Sequence, residues 1–176
     1  LRSFVAREIE PYAAAWDEAG TFPRELYKKA ADIGLLRLGF PEEFGGIEAD
    51  LFYSIIAAQE LARPGVGGLS ASLMSHSIGA PPIAFAGPDQ LKARVLPEIL
   101  SGEKISALAI TEPGGGSDVA SLRTSARRDG DHYVVNGCKT FITSGMRADY
   151  YTVAVRTGEA GHQGLSLLLI ERDRPG

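Results

Sequence analysis

The chain changes character near residue 104, and this change limits its possible folds more than any other feature. Before it, apolar residues recur at helical spacing, as at Phe4, Val5 and Ile9. After it, short runs rich in β-branched and aromatic residues alternate with turns, which is typical of a barrel or sandwich. The sequence therefore predicts a multi-domain α+β protein, with a helical bundle over residues 1–104 and an antiparallel β domain over residues 105–176.

Proline and glycine residues divide the first part into helices. Pro11 predicts a kink in the first helix, and residues 51–62 are predicted to be helical with Asp50 as the N-cap. Residues 69–78 form one largely apolar, buried helix in this prediction. Residues 89–100 form two short helices that separate at Pro97.

The second part predicts short strands and an incomplete barrel. Asn136-Gly137 is a strong two-residue signal for a hairpin between two of these strands. An open sheet of this kind would expose an edge, so we expect the chain to stop part-way through its β domain. The predicted strands are residues 105–110, 122–127, 133–136, 140–143, 151–156 and 165–171.

Composition argues against several functional classes. The net charge is −4, and no cluster of Lys and Arg is interleaved with aromatic residues, so nucleic-acid binding is not expected. Three scattered histidines and the single Cys138 predict neither a metal site nor an internal disulfide. No apolar stretch approaches the roughly 18 residues of a membrane span, and the first residues lack the features of a signal peptide.

A glycine-rich segment, residues 108–118, is the first candidate site. It reads Leu-Ala-Ile-Thr-Glu-Pro-Gly-Gly-Gly-Ser-Asp, so a strand-like run stops at a proline and three glycines follow. Such a loop can cradle an anion, with Thr111 and Ser117 as hydroxyl donors. The alternative is an ordinary turn in which these hydroxyls satisfy local hydrogen bonds.

Two motifs in order resemble the acyl-CoA dehydrogenase family of FAD-dependent flavoenzymes. The first is Ala-Ile-Thr-Glu-x-x-Gly-Gly-Ser-Asp-x-x-Ser at residues 109–121, and the second is Phe-Ile-Thr-Ser-Gly at residues 141–145. The resemblance covers the whole chain. It implies a helical N-terminal domain, part of a middle β-barrel domain, and a C-terminal helical domain that is missing from this chain.

The resemblance implies that the first motif binds the cofactor FAD. Leu108, Ile110 and Thr111 would contact the isoalloxazine ring, and the Thr111 hydroxyl would donate to it. Gly116 and Ser117 would approach the pyrophosphate, and Ser117 would also reach the pantetheine arm of the substrate.

The second motif would contribute to the same cofactor site. Phe141 would pack on one face of the flavin, Ile142 would lie beside it, and the Thr143 hydroxyl would hydrogen-bond near N5. Many relatives have Trp in place of Phe141 and Asn in place of Ser144; Phe keeps the flat apolar surface and loses the indole N–H. The alternative for Phe141 is an ordinary aromatic residue of the barrel core.

The predicted helix of residues 69–78 is a candidate for the acyl pocket. Ala71, Met74 and Ile78 lie at helical spacing on one face, where the family places the fatty tail, although core packing explains the same spacing. His76 is interpreted as packing or surface. Glu112 is interpreted as structural, because the family's catalytic base is a glutamate of the C-terminal domain. No catalytic residue is therefore expected in this chain.

The resemblance implies α,β-dehydrogenation of an acyl-CoA to a trans-2-enoyl-CoA, as in fatty-acid β-oxidation. A glutamate outside this chain would remove the α-proton, and the β-hydride would pass to flavin N5. The implied partners are an electron-transfer flavoprotein and further copies in a homotetramer or dimer, in the bacterial cytoplasm or the mitochondrial matrix. The chain alone would be inactive. An acyl-CoA oxidase or a monooxygenase-like relative that reacts with O2 is the nearest alternative, and a non-catalytic family member is the more distant one.

Overall fold

The α-helices occupy the first part of the chain, and the last of them ends at Leu100; two short 3-10 helices, Val119–Ser121 and His162–Gly164, lie among the strands that follow. The computed structural model describes residues 1–175. Short 3-10 helices cover Glu10–Tyr12, Leu35–Arg37 and Glu42–Phe44, and Val5–Ile9 is a π-helix. The α-helices are α1 (Arg2–Phe4), α2 (Ala13–Ala19), α3 (Glu25–Asp32), α4 (Leu51–Ala62), α5 (Gly67–Leu73), α6 (His76–Gly79), α7 (Pro81–Ala86) and α8 (Asp89–Leu100).

Local signals define several of these helix ends. Oδ1 of Asp50 accepts hydrogen bonds from the amides of Phe52 at 2.9 Å and Tyr53 at 3.4 Å, which confirms the predicted N-cap of α4. Pro11 lies in the 3-10 turn between the π-helix and α2, so the predicted kink is also confirmed. Gly20 ends α2 in the left-handed conformation, with φ of 64°.

Two helix predictions are wrong. The predicted helix of residues 69–78 is divided into α5 and α6 by a break at Met74 and Ser75. The predicted interruption at Pro97 is absent, because α8 runs through it. Pro97 is exposed, so the carbonyl that loses its donor faces water, while buried residues on both sides hold α8 against the core. Tertiary packing therefore outweighs the local proline penalty.

Five strands form one mixed sheet in the second part of the chain. The strand β4 is central, because it pairs with β1, with β5 and, at its end, with β2. β2 and β3 form an antiparallel hairpin. The strands are β1 (Ser106–Ala109), β2 (Ser125–Asp129), β3 (His132–Asn136), β4 (Tyr150–Arg156) and β5 (Leu165–Glu171).

The prediction of purely antiparallel pairing is wrong for β1. This strand pairs in parallel with β4, in a register that begins at Ser106 with Tyr150 and ends at Ala109 with Val153. The long crossover between them contains the β2–β3 hairpin, and a crossover connection is what parallel neighbours require.

The predicted hairpin at Asn136-Gly137 is also wrong. The observed hairpin turns at residues 130–131, because Asp129 pairs with His132 and Gly130 has φ of 62°. Gly137 serves a different purpose: a Cβ there would lie 2.4 Å from Oγ1 of Thr124. The residue is therefore explained by close approach between segments rather than by a turn.

The helices contact the sheet mainly through α6 and β1. A Cβ at Gly79 of α6 would lie 2.7 Å from Oγ of Ser106, so the two backbones pass close together. The Thr152 hydroxyl donates to the carbonyl of Gly79 at 2.6 Å, and the Ser75 hydroxyl donates to the carbonyl of Ser106 at 2.8 Å. These contacts fix β1, and hence the loop that follows it, relative to the helices.

Among residues 1–175, no helix combines the length and the apolar character that crossing a membrane requires.

Candidate functional site

The glycine loop, residues 111–118, follows β1 as a tight turn. Glu112 and Gly115 exchange two backbone hydrogen bonds of 3.0 Å each, and Gly115 has φ of 150°, a conformation that L side chains rarely adopt. Within the described residues, the amides of Gly116 and Ser117 donate no hydrogen bond to another protein group. The loop thus offers N–H donors beside an open surface, which is what an anion such as a phosphate needs.

The carboxylate of Glu112 fixes this loop to two other segments. Its oxygens accept hydrogen bonds from the amides of Arg123 and Thr124, both at 2.8 Å, and from Nζ of Lys139 at 2.9 Å. Lys139 also donates to the carbonyl of Ile110 at 2.8 Å. The side chains of Glu112 and Lys139 are only 10% and 11% exposed. They form a nearly buried ion pair that connects the first motif to the segment directly before the second.

These contacts decide the ionisation of Glu112. Desolvation alone would raise its pKa, but the neighbouring Thr124, the amide of Arg123 and Lys139 lower the pKa to about 2. The Thr124 hydroxyl lies beside the carboxylate but outside hydrogen-bond geometry. A carboxylate this acidic, with its oxygens already bonded, is a poor proton acceptor. The structural interpretation of Glu112 is therefore supported.

The second motif is a turn, and the predicted strand over residues 140–143 is wrong. The amide of Thr140, directly before the second motif, donates to the carbonyl of Thr111 at 2.9 Å, so this bond holds the second motif beside the first. Phe141 and Ser144 have positive φ values of 55° and 62°, which a continuous strand does not allow. The amide of Gly145 closes the turn on the carbonyl of Ile142 at 2.8 Å.

Phe141 is 92% exposed, which excludes the alternative of a barrel-core aromatic in this chain. An aromatic ring presented to solvent by a left-handed backbone is unusual, since exposed apolar area is unfavourable. The arrangement leaves one face of the ring available to another molecule or another part of the protein.

A broad depression of about 830 Å³ lies between the second motif and the sheet. Apolar side chains make up much of its lining, together with hydroxyl groups and the amine of Lys139. A depression of this size is in the range of small-molecule sites. Its lining includes Ala109, Val135, Lys139, Thr140, Phe141, Ile142, Thr143, Tyr151, Val153 and Ile170.

A smaller depression of about 400 Å³ lies over the glycine loop. Ile110, Gly116 and Arg123 contribute to its lining. Thr124 and Gly137 line both depressions, which are therefore adjacent. One extended ligand could occupy the two together.

Five of the predicted cofactor residues line one of these two depressions, and three do not. Phe141, Ile142 and Thr143 line the larger one, and Ile110 and Gly116 line the smaller one. The remaining three lie in or beside β1 and the glycine loop without lining either depression: Leu108, Thr111 and Ser117.

The predicted acyl-pocket residues do not share one helical face. Met74 lies at the break after α5 and lines an apolar groove of about 450 Å³ together with Leu61 and Val66. Ala71 is exposed on α5, and Ile78 is 50% exposed on α6. Only Met74 of the three is thus part of a groove.

His76 is buried, with its ring centroid 5.8 Å from that of Phe40. Burial lowers its pKa to about 4 despite backbone hydrogen bonds that act in the opposite direction. The histidine is neutral and packed, as the packing interpretation requires.

Sequence reasoning missed Arg123, Tyr151 and Val153, and it considered Lys139 only as a single basic residue that could meet phosphate, for which solvation is the usual state. Tyr151 and Val153 are two residues apart on β4 and therefore lie on the same face of the sheet. The period of two in a predicted strand could have indicated both residues. Lys139 and Arg123 carry no comparable signal, because their role depends on the fold of the glycine loop.

Comparison with known proteins assigns the family. The model of the acyl-CoA dehydrogenase N-terminal domain matches residues 1–103, and that of the acyl-CoA dehydrogenase middle domain matches residues 107–176. The chain belongs to the acyl-CoA dehydrogenase family. It is 40% identical over 176 residues to cyclohexane-1-carbonyl-CoA dehydrogenase of Geobacter metallireducens. The aligned region covers 100% of this chain and 46% of that protein.

Solved structures of the family have the same fold. A probable acyl-CoA dehydrogenase of Mycobacterium abscessus is 52% identical with a TM-score of 0.95, covering 99% of this chain and 47% of that one. An acyl-CoA dehydrogenase of Bacillus anthracis, complexed with FAD, is 34% identical with a TM-score of 0.86. The match covers 98% of this chain and 29% of that one. The chain therefore spans less than half the length of these relatives.

Proposed function

We propose that this chain forms the N-terminal and middle parts of an FAD-dependent acyl-CoA dehydrogenase. The observation that carries the proposal is the pair of adjacent depressions, one under each motif, joined by the hydrogen bond from Thr140 to Thr111. Family membership and a relative complexed with FAD support the same assignment.

The residues present fit the chemistry of FAD. An isoalloxazine ring is flat and largely apolar with polar edges, which suits the mixture of apolar and hydroxyl-bearing side chains that line the larger depression. A pyrophosphate needs N–H donors, and Gly116 and Ser117 have amides without a partner among the described residues. FAD, when bound, supplies the acceptor for the β-hydride of the acyl thioester.

Residues of this chain would bind the cofactor and the substrate and orient them. Phe141 would cover one face of the ring, Ile142 would pack beside it, and Thr143 would donate a hydrogen bond near N5. Leu108, Ile110 and Thr111 would contact the ring from β1 and the start of the glycine loop. Met74, with Ala71 and Ile78, would contribute to the wall for the acyl chain, and Ser117 would also contact the pantetheine arm.

The α-proton would be removed by a carboxylate outside residues 1–176. Glu112 is unsuitable for this role, since three donors already bind its oxygens and its pKa is about 2. The proposal further includes a trans-2-enoyl-CoA product, an electron-transfer flavoprotein as the electron acceptor, and a homotetramer or dimer as the assembly.

The test is an anaerobic titration of the intact protein with straight-chain and branched acyl-CoAs, followed in the visible flavin band. Bleaching by one class of acyl-CoA supports the proposal and identifies the substrate class. A flavin band that no acyl-CoA bleaches refutes the dehydrogenase, and reoxidation by air with peroxide release assigns an oxidase instead. A protein that contains no flavin refutes the cofactor assignment.

The Thr143→Val variant tests the site directly. Removing a donor to a centre where charge develops slows reduction by roughly 10- to 100-fold while the concentration of acyl-CoA for half-maximal bleaching stays similar. Thr157→Val is the matched control, because the Thr157 hydroxyl bonds only to Ser166 among the described residues, at 2.6 Å. Equal rates for Thr143→Val and the wild type would contradict the role of Thr143.

A further inference from the structure

The turn of the second motif is bonded to the helical part of the chain through two serines. Oγ of Ser144 lies 2.8 Å from Oγ of Ser72, and the Ser144 hydroxyl also lies within 3.2 Å of the carbonyl oxygen of Ser72. The Tyr27 hydroxyl donates to the same carbonyl at 2.9 Å. Ser72 is in the last turn of α5, and its carbonyl also accepts the amide of Ser75 at 3.2 Å, so the two hydroxyls add to the hydrogen bonding at the end of that helix.

Ser144 is held in a conformation that serine does not favour. Its φ is 62°, in the left-handed region, where glycine and asparagine are the usual residues. The carbonyl of Ser144 accepts hydrogen bonds from the amides of Arg147 and Ala148, both at 2.8 Å, which closes the backbone around it. The contact with Ser72 adds a side-chain interaction that stabilises this conformation.

The position of the contact gives it a functional meaning. Thr143 directly precedes Ser144 and lines the larger depression, while Ser72 is two residues before Met74, which lines the apolar groove. We propose that the Ser72–Ser144 contact is a latch that orients Thr143 over the larger depression and couples it to α5. Ser72 and Ser144 are thus positioning residues, and this role rests on the proposed function.

Attachment of the turn to the helices does not depend on the latch. Arg147 donates to the carbonyl of Phe22 at 2.7 Å, and its guanidinium carbon lies 4.2 Å from the centroid of the Phe22 ring. Arg24 forms an ion pair with Asp149. Because these contacts remain, loss of the Ser72 hydroxyl loosens the turn locally and leaves the two parts of the chain joined.

The test compares Ser72→Ala, Ser72→Thr and a control in the intact protein. Ser72→Ala removes the hydroxyl, and Ser72→Thr keeps it and serves as the rescue. The control is Ser101→Ala, which removes another hydroxyl at a helix end, where Ser101 donates to the carbonyl of Glu98 at 3.1 Å. The first readout is amide hydrogen exchange at Gly145, Arg147 and Ala148, whose N–H groups close the turn.

We expect Ser72→Ala to speed exchange at these amides by roughly three- to tenfold, the effect of one net hydrogen bond, with no change in Ser101→Ala and recovery in Ser72→Thr. The second readout is flavin reduction by saturating acyl-CoA. It slows by a similar factor in Ser72→Ala, while the half-saturating concentration of acyl-CoA stays within about twofold.

Each outcome decides the proposal. Unchanged exchange in Ser72→Ala and also in Ser144→Ala, which removes the hydrogen bond to the Ser72 carbonyl as well, refutes the latch whether or not the protein binds flavin. Faster exchange with an unchanged rate of reduction refutes the positioning role. A wild-type protein without flavin refutes the proposed function and with it the orientation of Thr143 toward a cofactor, while the exchange result still decides separately whether Ser72 holds the turn.

Discussion

Replacing Glu112 by Gln should open the segment that joins the glycine loop to β2. Glutamine keeps the volume and one acceptor oxygen, but it cannot serve two backbone amides and the ammonium of Lys139 together. Removing one partner of a buried pair costs about 3–5 kcal/mol. Because Gln retains part of the hydrogen bonding, we expect a loss of about 2–4 kcal/mol.

The assay is native-state amide exchange at Arg123 and Thr124, whose N–H groups bind Glu112 directly. A local loss of this size speeds their exchange by roughly 30- to 900-fold. Glu159→Gln, a change at an exposed glutamate, is the control and should leave these rates unchanged. Adding Lys139→Met to Glu112→Gln should restore part of the protection, because the double variant no longer buries an unpaired ammonium.

The same carboxylate predicts a pH dependence. The pKa of Glu112 falls from an ordinary 4.5 to about 2 in the folded chain, so its stabilisation is complete above pH 4.5 and is lost as the pH falls toward 2. Protection at Arg123 and Thr124 should therefore be constant from pH 7 to about 5 and decline below. In the exchange experiment with Glu112→Gln, amide exchange rates at Arg123 and Thr124 within about threefold of the wild-type rates would refute the reasoning about this ion pair.

Two further predictions concern close packing at a glycine and the titration of a buried histidine. Gly79→Ala should lower the free energy of unfolding by about 1–3 kcal/mol, since its Cβ would meet Ser106, whereas Gly68→Ala in open space on α5 should raise it by about 0.5–1 kcal/mol. Thermal unfolding measures both, and shifts in the same direction would contradict the prediction. His76, with a pKa of about 4, should reduce stability by about 3 kcal/mol between pH 6.5 and pH 4, because the unfolded chain binds the extra proton. His76→Phe should remove this dependence, and an imidazole that titrates near pH 6.5 in NMR spectra of the folded wild type would refute it.

Local sequence signals predicted the elements whose stability is local. Asp50 marks the start of α4 by its own side chain, and β5 has the predicted bounds Leu165–Glu171. Pro97 misled the prediction, because burial of its neighbours holds α8 together. Residues 140–143 of the turn were predicted as a strand since their β-branched residues favour strands, while contacts with distant segments decide their conformation.

The candidate site was predictable by motif but not by geometry. The resemblance indicated both motifs and a structural Glu112, yet nothing local in the sequence indicates that Lys139 is its partner or that the Thr140 amide bonds to Thr111. Such contacts join residues far apart in the chain, and they exist only after the sheet has formed. The roles of Leu108, Ile110, Thr111, Gly116 and Ser117 toward a cofactor stay predictions.

The central place of β4 has a consequence for the order of folding. Within residues 1–175, β1 pairs with no strand other than β4, whereas β2 and β3 can close their hairpin through a short turn as soon as both are synthesised. The glycine loop connects β1 to β2, and although α6 holds β1, the two ends of the loop acquire fixed positions relative to each other only when β4 docks between the two strands. A nascent chain that lacks β4 can form helices and a hairpin but not the site, and a mutation that weakens β4 would impair ligand binding even at a position of the strand that does not line the larger depression.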